Sequence, residues 1–195
     1  MKFNMRLVDV ANQWISDIYN QYCLRRNDIE VREGIRIKGR IFLRNGGKIN
    51  IGKGVKINSG KNANVIGGDI RTNLIVFPNA SLQIGDNVGI SNCTIVCQNS
   101  ITLENNVMLG GSVKIYDTDF HSIEYENRMK KPDPNIQTKP ILIKEGAFIG
   151  AHSIILKGTT IGRRAVVGAG SVVTKNIPDN EIWAGNPAKF IRRLG

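Results

Sequence analysis

The sequence predicts an all-β fold, a parallel β-helix in which short strands stack coil upon coil. A six-residue period is neither helical nor that of a simple hairpin, and most units add a glycine or another turn-forming residue to the aliphatic one. The composition agrees, because 21 glycines suit tight corners and aromatic residues make up only 6% of the chain. An aliphatic residue returns at every sixth position in the clearest stretch: Ile143, Ile149, Ile155, Ile161, Val167 and Val173.

The same period recurs earlier in the chain. No single unit can bury its aliphatic side chain, so a continuous core forms only when the units stack. At 195 residues the chain holds one sizeable core, which we place at residues 31–178. Between residues 31 and 75 the register is loose. The expected inward positions are Ile37, Leu43, Ile51, Ile57 and Val65, then Ile84, Ile90 and Val96, then Leu103, Leu109 and Ile115.

Residues 1–30 form a separate N-terminal segment, with an amphipathic helix predicted over residues 5–24. Polar residues interrupt the segment, which argues against a signal peptide or a membrane span. The pattern favours a helix that packs on the β-helix or on a neighbouring subunit, rather than one that lies on a membrane surface. Its apolar residues recur at three- and four-residue spacing: Leu7, Ala11, Trp14, Ile15, Ile18 and Tyr22.

The six-residue period stops between residues 116 and 140, where we predict one long excursion loop. This segment carries His121, one of the two histidines, together with five acidic residues and three of the six prolines. No repeat needs such an excursion, and functional residues often lie on loops that a rigid scaffold positions. We therefore expect the loop to serve a site.

Residues 179–195 are predicted to form a C-terminal cap. Pro178 and Pro187 end the repeat, and a short basic helix or an extended segment would cover the last coil. Such a cover is needed because an open coil exposes backbone donors and acceptors, as any sheet edge does.

The formal net charge of +11 predicts an acidic partner, such as a phosphate-bearing cofactor or an anionic membrane. We expect no nucleic acid, because the basic residues are scattered and no nucleic-acid-binding motif is present. Cys23, Cys93 and Cys97 give an odd count without metal-ligand spacing. Free thiols indicate a reducing compartment, and we predict a cytoplasmic protein.

The repeat, the loop with His121, and the strings at residues 161–178 and 184–189 together resemble the hexapeptide-repeat acyltransferases. The pattern is most similar to the galactoside and maltose O-acetyltransferases and to polysaccharide O-acetyltransferases, over roughly residues 75–193. The resemblance implies a left-handed parallel β-helix, a homotrimer with active sites between subunits, and acetyl-CoA as the donor. A period of six alone does not fix handedness.

His121 stands where this family has its catalytic histidine. Acyl transfer to a hydroxyl group needs a base, and histidine titrates closest to working pH. The alternative is a loop histidine that only bonds a neighbouring carboxylate. Asp117 and Asp119 are candidates to orient the imidazole, and equally candidates for turn residues. The backbone N–H of Ala151 is the expected oxyanion donor, and His152 is expected to be structural.

The resemblance also assigns the donor cleft, which needs cations and backbone amides for the phosphates of CoA. Lysine replaces a frequent arginine at Lys189, so the charge is kept without bidentate geometry. Taken alone, the basic tail residues would be read as a solvated cap. The residues implied are Phe148, Ala151, Ala169, Thr174 and Lys175 along the cleft, with Lys189 and Arg192 at the nucleotide phosphates.

The candidate acceptor contacts are Asn92, Asp117, Glu126 and Arg128. Ile90 and Gln98 stand where the galactoside group places polar contacts, so we favour another sugar, in a surface polysaccharide or its precursor. The predicted activity is acetyl-CoA-dependent O-acetylation of a sugar hydroxyl.

Three other readings of the sequence stay open to different degrees. N-acetylation of an amino sugar or sugar nucleotide, and a non-catalytic scaffold, are the main alternatives. A serine O-acetyltransferase ranks lower, because it would carry a larger helical N-terminal region. No metal is expected, because a β-helix carbonic anhydrase needs three histidine ligands and this chain has two histidines.

Overall fold

The computed structural model describes residues 7–195 and consists mainly of three parallel sheets, which form the three faces of a stack of coils. Each complete coil adds one strand to each face in turn. Face A contains β1 (Arg36–Gly39), β4 (Lys56–Ser59), β7 (Gly89–Ser91), β10 (Met108–Leu109), β13 (Phe148–Ile149), β16 (Val166–Val167), β18 (Glu181–Ala184) and β19 (Lys189–Arg193). Face B contains β2 (Phe42–Asn45), β5 (Asn73–Val76), β8 (Thr94–Cys97), β11 (Lys114–Tyr116), β14 (Ile154–Leu156) and β17 (Val172–Val173). Face C contains β3 (Lys48–Ile51), β6 (Ser81–Ile84), β9 (Ser100–Leu103), β12 (Ile141–Ile143) and β15 (Thr160–Ile161).

Inward aliphatic side chains align from one coil to the next and form one core. On face A, Leu109 is paired with Ile149, and Ile149 with Val167. On face B, Ile115 is paired with Ile155. All are buried, because each coil covers the aliphatic side chains of the previous one. The predicted parallel β-helix is therefore confirmed.

Two of the residues that were expected to point into the core, Val96 and Val65, do not do so. Ile95, not Val96, is paired with Ile115, because the corner between Ile90 and Ile95 is one residue shorter than the corner between Leu109 and Ile115. Val65 is 85% exposed, because it lies on an excursion rather than in a coil.

That excursion, residues 60–72, was not predicted from the sequence. It connects β4 on face A to β5 on face B and contains a 3₁₀ turn, Val65–Gly67. A second excursion, residues 117–140, connects β11 on face B to β12 on face C and contains the short helix α2 (Tyr125–Arg128). The second one coincides with the loop predicted at residues 116–140.

The N-terminal helix α1 (Leu7–Arg26) packs on the first coil through Gln13 and Asn20 and through Leu24, which is buried in the core. Residues 5 and 6 and the side chain of Leu7, which belong to the predicted helix, lie outside the described part. Asn20 donates to Gly39 O at 2.8 Å and accepts from Ile41 N at 3.1 Å. Gln13 donates to Ile37 O at 2.9 Å.

The predicted apolar face of α1 points the other way. Trp14, Ile15, Ile18 and Tyr22 are all exposed. Packing of this face on the β-helix of the same chain was therefore a wrong expectation. The first coil presents an open sheet edge, and amide side chains can satisfy its N–H and C=O groups whereas aliphatic ones cannot.

The last coil is covered by an extended segment. β18 pairs in parallel with β16, and β19 returns antiparallel to β18. Ala188 N donates to Val172 O at 2.8 Å, which places the turn between β18 and β19 against the start of β17. Of the two forms of cap considered, the extended one is present.

Candidate active site

Part of the predicted site lies along the AB corner, which we define as the residues between each face A strand and the following face B strand. Ala151 and Ala169 occupy this corner in successive coils. A Cβ at Gly110, one coil earlier, would lie 2.7 Å from Ala151 N. Glycine at that position lets the backbones of neighbouring coils approach closely.

The backbone N–H of Ala151 is available as a donor. Its neighbours are both used, since Gly150 N donates to Val167 O at 2.7 Å and His152 N donates to Gly111 O at 2.8 Å. Within residues 7–195, Ala151 N has no hydrogen-bond acceptor. A fixed, unused donor on a half-buried corner is suited to a developing oxyanion.

The turn between β18 and β19 continues the AB corner beyond Ala169. Lys189 begins β19, and both Lys189 and Arg192 are exposed. Neither forms a salt bridge with another residue of the described chain, whereas Arg193 pairs with Glu181 at 3.4 Å. The charges of Lys189 and Arg192 are thus free for an anionic ligand.

His121 lies on the excursion at the BC corner, the junction of faces B and C. The stem of this excursion is antiparallel, with a bridge between Thr118 and Thr138 and a bond from Lys139 N to Asp117 O at 3.0 Å. The His121 side chain is 72% exposed. A stem of this kind holds the imidazole at the edge of the rigid stack while leaving it accessible.

Asp133 is the carboxylate that faces His121, with 3.9 Å between His121 Nδ1 and Asp133 Oδ2. Ser122 donates to Asp133 through both its backbone N–H, at 2.8 Å, and its hydroxyl group. The Ser122 hydroxyl and then the Ser122 N–H lower the pKa of Asp133, because both hydrogen bonds favour the charged form. Asp133 therefore stays ionised beside the imidazole.

The two aspartates predicted to help His121 have other partners. Asp119 forms an ion pair with Lys157 at 2.7 Å. Asp117 is buried and accepts from Gln98 N at 2.7 Å and from Asn99 N at 2.8 Å. Its carboxylate holds the adjacent corner, so Asp117 as a substrate contact was a wrong expectation and the turn-residue alternative fits.

Asn92, predicted to bind the acceptor, is also fully buried. Its Nδ2 donates to Gly68 O at 3.0 Å and to Asn64 O at 3.3 Å, so the side chain bonds to the first excursion. A contact of Asn92 with the acceptor stays a prediction. The excursion reaches the AB corner, where the Ser112 hydroxyl donates to Gly67 O at 2.7 Å.

The remaining predicted residues are divided between the two corners. Arg128 donates to Ser122 O at 3.0 Å and to Ile123 O at 2.8 Å, which steadies the segment after His121, while Glu126 is exposed on the same excursion. Phe148 is exposed on face A, ahead of Ala151. Thr174 and Lys175 follow β17 and lie exposed at the BC corner.

Three further findings concern metal binding, membrane crossing and the position of His152. Among residues 7–195, no group of three or more His, Cys, Asp or Glu side chains is arranged to hold a metal ion. None of the helices in that part of the chain is long and apolar enough to cross a membrane. His152 has a left-handed backbone, with φ of 61°, and lies exposed in the corner next to Ala151.

Comparison with known sequences identifies the repeat. Residues 140–175 match the family described as bacterial transferase hexapeptide (six repeats). The galactoside O-acetyltransferase of Escherichia coli (strain K12) is 35% identical over 129 residues, which cover 63% of this chain and 62% of that protein. The galactoside O-acetyltransferase of Lactococcus lactis is 39% identical over 103 residues, 53% of this chain and 48% of that protein. The chain thus spans about half of these relatives' length.

Solved structures of other proteins superpose on this chain and have the same fold. The polySia specific acetyltransferase NeuO superposes with a TM-score of 0.65 at 25% identity, covering 85% of this chain and 65% of that one. AntD, an N-acyltransferase from Bacillus cereus in complex with dTDP-4-amino-4,6-dideoxyglucose and Coenzyme A, gives a TM-score of 0.70 at 23% identity, covering 91% and 90%. Over 53–63% of its length the chain is thus similar to galactoside O-acetyltransferases, and it has the left-handed parallel β-helix fold that the resemblance predicted.

Proposed function

We propose that this protein transfers an acetyl group from acetyl-CoA to a sugar hydroxyl, with His121 as the general base. The observation that carries the proposal is the exposed imidazole of His121, whose Nδ1 faces an ionised carboxylate at Asp133. This arrangement leaves Nε2 for a substrate, as a base for acyl transfer requires.

The proposed reaction is a direct transfer. Nε2 of His121 takes the proton of the hydroxyl while its oxygen attacks the thioester carbonyl, and Asp133 stabilises the imidazolium that forms. The oxyanion of the tetrahedral intermediate accepts from Ala151 N–H. When the intermediate collapses, the C–S bond breaks, the acetyl ester remains on the sugar, and CoA leaves as a thiol with the proton from the imidazolium.

Acetyl-CoA is the proposed donor. Ala151 and Ala169 give a corner without bulky side chains, along which an extended pantetheine arm can lie. The exposed, unpaired charges of Lys189 and Arg192 continue this corner and suit the phosphates. Phe148 adds a proposed contact from face A. Thr174 and Lys175 lie at the BC corner, so in the proposed trimer they would reach the donor from the neighbouring subunit. The free thiols fit a cytoplasmic protein, the compartment we propose.

The separation of the two corners supports a homotrimer with shared sites. Ala151 lies on the AB corner and His121 on the BC corner, and a complete face B strand with its turns separates these corners, roughly 15 Å at 3.3 Å per residue. A base must lie about 3 Å from the proton that it removes. Association of two copies would bring the BC corner of one against the AB corner of the next.

For the acceptor we propose a sugar within a surface polysaccharide or its precursor. Ile90 is buried in the core and offers no polar contact of the kind expected for a galactoside. The Oε1 of Gln98 accepts from Thr118 Oγ1 at 2.7 Å, so that atom already has a partner within the chain. The likeness to an acetyltransferase of polySia, which covers 85% of this chain, supports a polymeric substrate.

The test is CoA release from acetyl-CoA with a panel of sugars and amino sugars. His121→Asn is expected to lower acceptor-dependent turnover about 100-fold to 10,000-fold, because the base is lost. His152→Asn is the matched control, since asparagine tolerates its left-handed backbone, and its turnover should stay near that of the native protein.

Equal turnover of the two variants would remove His121 as the base. Hydroxylamine treatment of the product then distinguishes the acceptors, because it cleaves O-acetyl esters and leaves amides intact. CoA binding without turnover on any acceptor would support the scaffold alternative.

A further inference from the structure

We propose that helix α1 is a peripheral anchor that docks the protein on an anionic membrane surface. The face of α1 directed away from the β-helix carries four large apolar residues, with Trp14 66%, Tyr22 57% and Ile18 50% exposed beside Ile15. They recur at three- and four-residue spacing, so they form one stripe along the helix. Indole and phenol rings at the edge of an apolar stripe suit the headgroup region of a bilayer.

The packing of α1 on the first coil fixes the orientation of the helix and keeps the apolar stripe exposed. Two polar residues hold the helix in this orientation, because Gln13 and Asn20 both accept from and donate to the backbone of the first coil. The helix cannot turn its apolar stripe inward without losing these four hydrogen bonds. The stripe is therefore the outer surface of the N-terminal end of the stack.

The net charge of the N-terminal part of the chain matches an anionic surface. Residues 10–60 contain ten Lys or Arg residues against four Asp or Glu residues, a net +6 of the chain's +11. Arg25 and Arg26 end the helix, and Arg36 and Lys38 point to solvent from the adjoining strand β1. Each basic residue near an anionic membrane contributes about 1 kcal/mol, and apolar side chains that enter the headgroup region add to this.

The proposed trimer would strengthen the attachment. β1 and β2 are the terminal strands of faces A and B, so α1 lies at the end of the stack and not along a corner. Three subunits that associate side by side would present three such helices at the same end. One planar surface could then engage all three, and weak contacts add up when the binding is multivalent. This step alone rests on the proposed function.

Trp14 provides a direct test, because the chain has only one other tryptophan, Trp183. In the full-length Trp183→Phe protein, fluorescence is recorded while vesicles of phosphatidylcholine, with or without phosphatidylglycerol, are added. We expect a blue shift of the Trp14 emission with the phosphatidylglycerol vesicles, and its suppression by salt. Unchanged emission at saturating lipid would overturn the proposal.

Vesicle flotation of variants tests the apolar and the electrostatic contributions to membrane binding separately. Ile18→Gln should weaken binding about tenfold, because one buried isoleucine is lost per chain, and Arg25→Gln should weaken it roughly fivefold. Ile191→Gln is the matched control, since Ile191 is 57% exposed at the other end of the stack, and it should bind as the native protein does. Equal loss for Ile18→Gln and Ile191→Gln would contradict the proposal.

The stripe could instead be covered by a second copy of the protein. In that case light scattering would show Ile18→Gln to have a lower mass than the native protein in solution, without any vesicle binding by the native protein. That result would overturn membrane docking. CoA release is measured separately on soluble acceptors, so failure of membrane docking and failure of the proposed acetyl transfer give different results.

Discussion

Asp133 is the residue that most changes the chemistry expected of the excursion. Its carboxylate faces His121, and Ser122 holds it in the charged form. Asp119 is closer in sequence but is committed to Lys157. In the proposed transfer, a charged partner at Nδ1 would stabilise the imidazolium of His121, whereas a carboxylate neutralised by lysine would contribute less.

Asp133→Asn should therefore lower kcat about tenfold to 100-fold with a smaller change in KM, since the loss is felt when the imidazolium forms. Steady-state kinetics with the best acceptor measures this. Asp119→Asn is the control, and it should lose less turnover at a similar Tm. If the two variants lost kcat equally, Asp133 would have no special role toward His121.

The three cysteines are expected to differ in reactivity, because two of them are buried and one is only partly buried. Burial raises the pKa of the Cys93 and Cys97 thiols to about 12, and for Cys97 the charge of Asp117 adds to this effect. At pH 8 the thiolate fraction of such a thiol is about one in 10,000. Cys23 is only partly buried.

With a chromogenic disulfide reagent we expect about one thiol per native chain to react at pH 8, and all three after denaturation. Cys23→Ser should abolish the native reaction, which would also give a clean background for the CoA-release assay. A fast native reaction in the Cys23→Ser protein would show that the core around Cys93 or Cys97 opens readily.

At this scale the sequence offers candidate site residues only where they belong to motifs, and it could not identify residues that pair across loops. His121 and Ala151 lie in recognisable strings. Asp133 lies twelve residues beyond His121 in a segment without periodicity, so no spacing rule links the two. Asp117 looked functional because it is charged, but burial and two backbone donors give it a structural role.

At the scale of the element, one buried side chain, Asn92, contacts several carbonyl groups of the first excursion. Asn92 Nδ2 donates to Gly60 O, Asn64 O and Gly68 O, while Asn92 itself has a left-handed backbone with φ of 49°. Without this donor three carbonyl groups of the excursion lose a partner.

Asn92→Gly keeps the left-handed backbone accessible and removes the side chain. We expect it to lower the free energy of unfolding by about 1–3 kcal/mol and to raise amide hydrogen exchange at residues 60–70. Asn106→Gly is the matched control, because φ there is 61° and the Asn106 side chain has no hydrogen bond to another described residue. Equal exchange in the two variants would show that Asn92 does not hold the excursion.

The helix α1 shows what periodicity does and does not determine. Its apolar spacing correctly predicted a helix and the composition of one face. The spacing does not say which face packs, because that depends on the neighbour, and here the neighbour is a sheet edge with unsatisfied backbone groups. Asn20 and Gln13 match this edge better than Trp14 or Ile18.

At the scale of the whole molecule, the stacking of one unit explains most of the fold. The six-residue period predicted the stacked coils and their continuous core, because every coil repeats the same burial. It could not predict the first excursion, since residues 60–72 interrupt the period where the register was already loose. The period also carries no information about handedness or the contacts between copies, which depend on the outer surface.

The last prediction concerns how the copies combine. If a site takes His121 from one subunit and Ala151 and Ala169 from the next, two inactive proteins can restore each other. His121→Asn lacks the base, and Ala169→Trp should block the donor corner, because the side chain of Ala169 is exposed where pantetheine is proposed to lie. Each variant alone should be inactive.

In trimers refolded from an equal mixture, a site is active only where an Ala169→Trp chain supplies the base to a His121→Asn chain. Random assembly predicts this for about one site in four, so the mixture should regain about a quarter of the native turnover. CoA release by the mixture, compared with each variant refolded alone, measures the recovery. Absence of recovery in mixed trimers, verified by two different affinity tags, would mean that each site is built within one chain and that the excursion brings His121 around to its own AB corner.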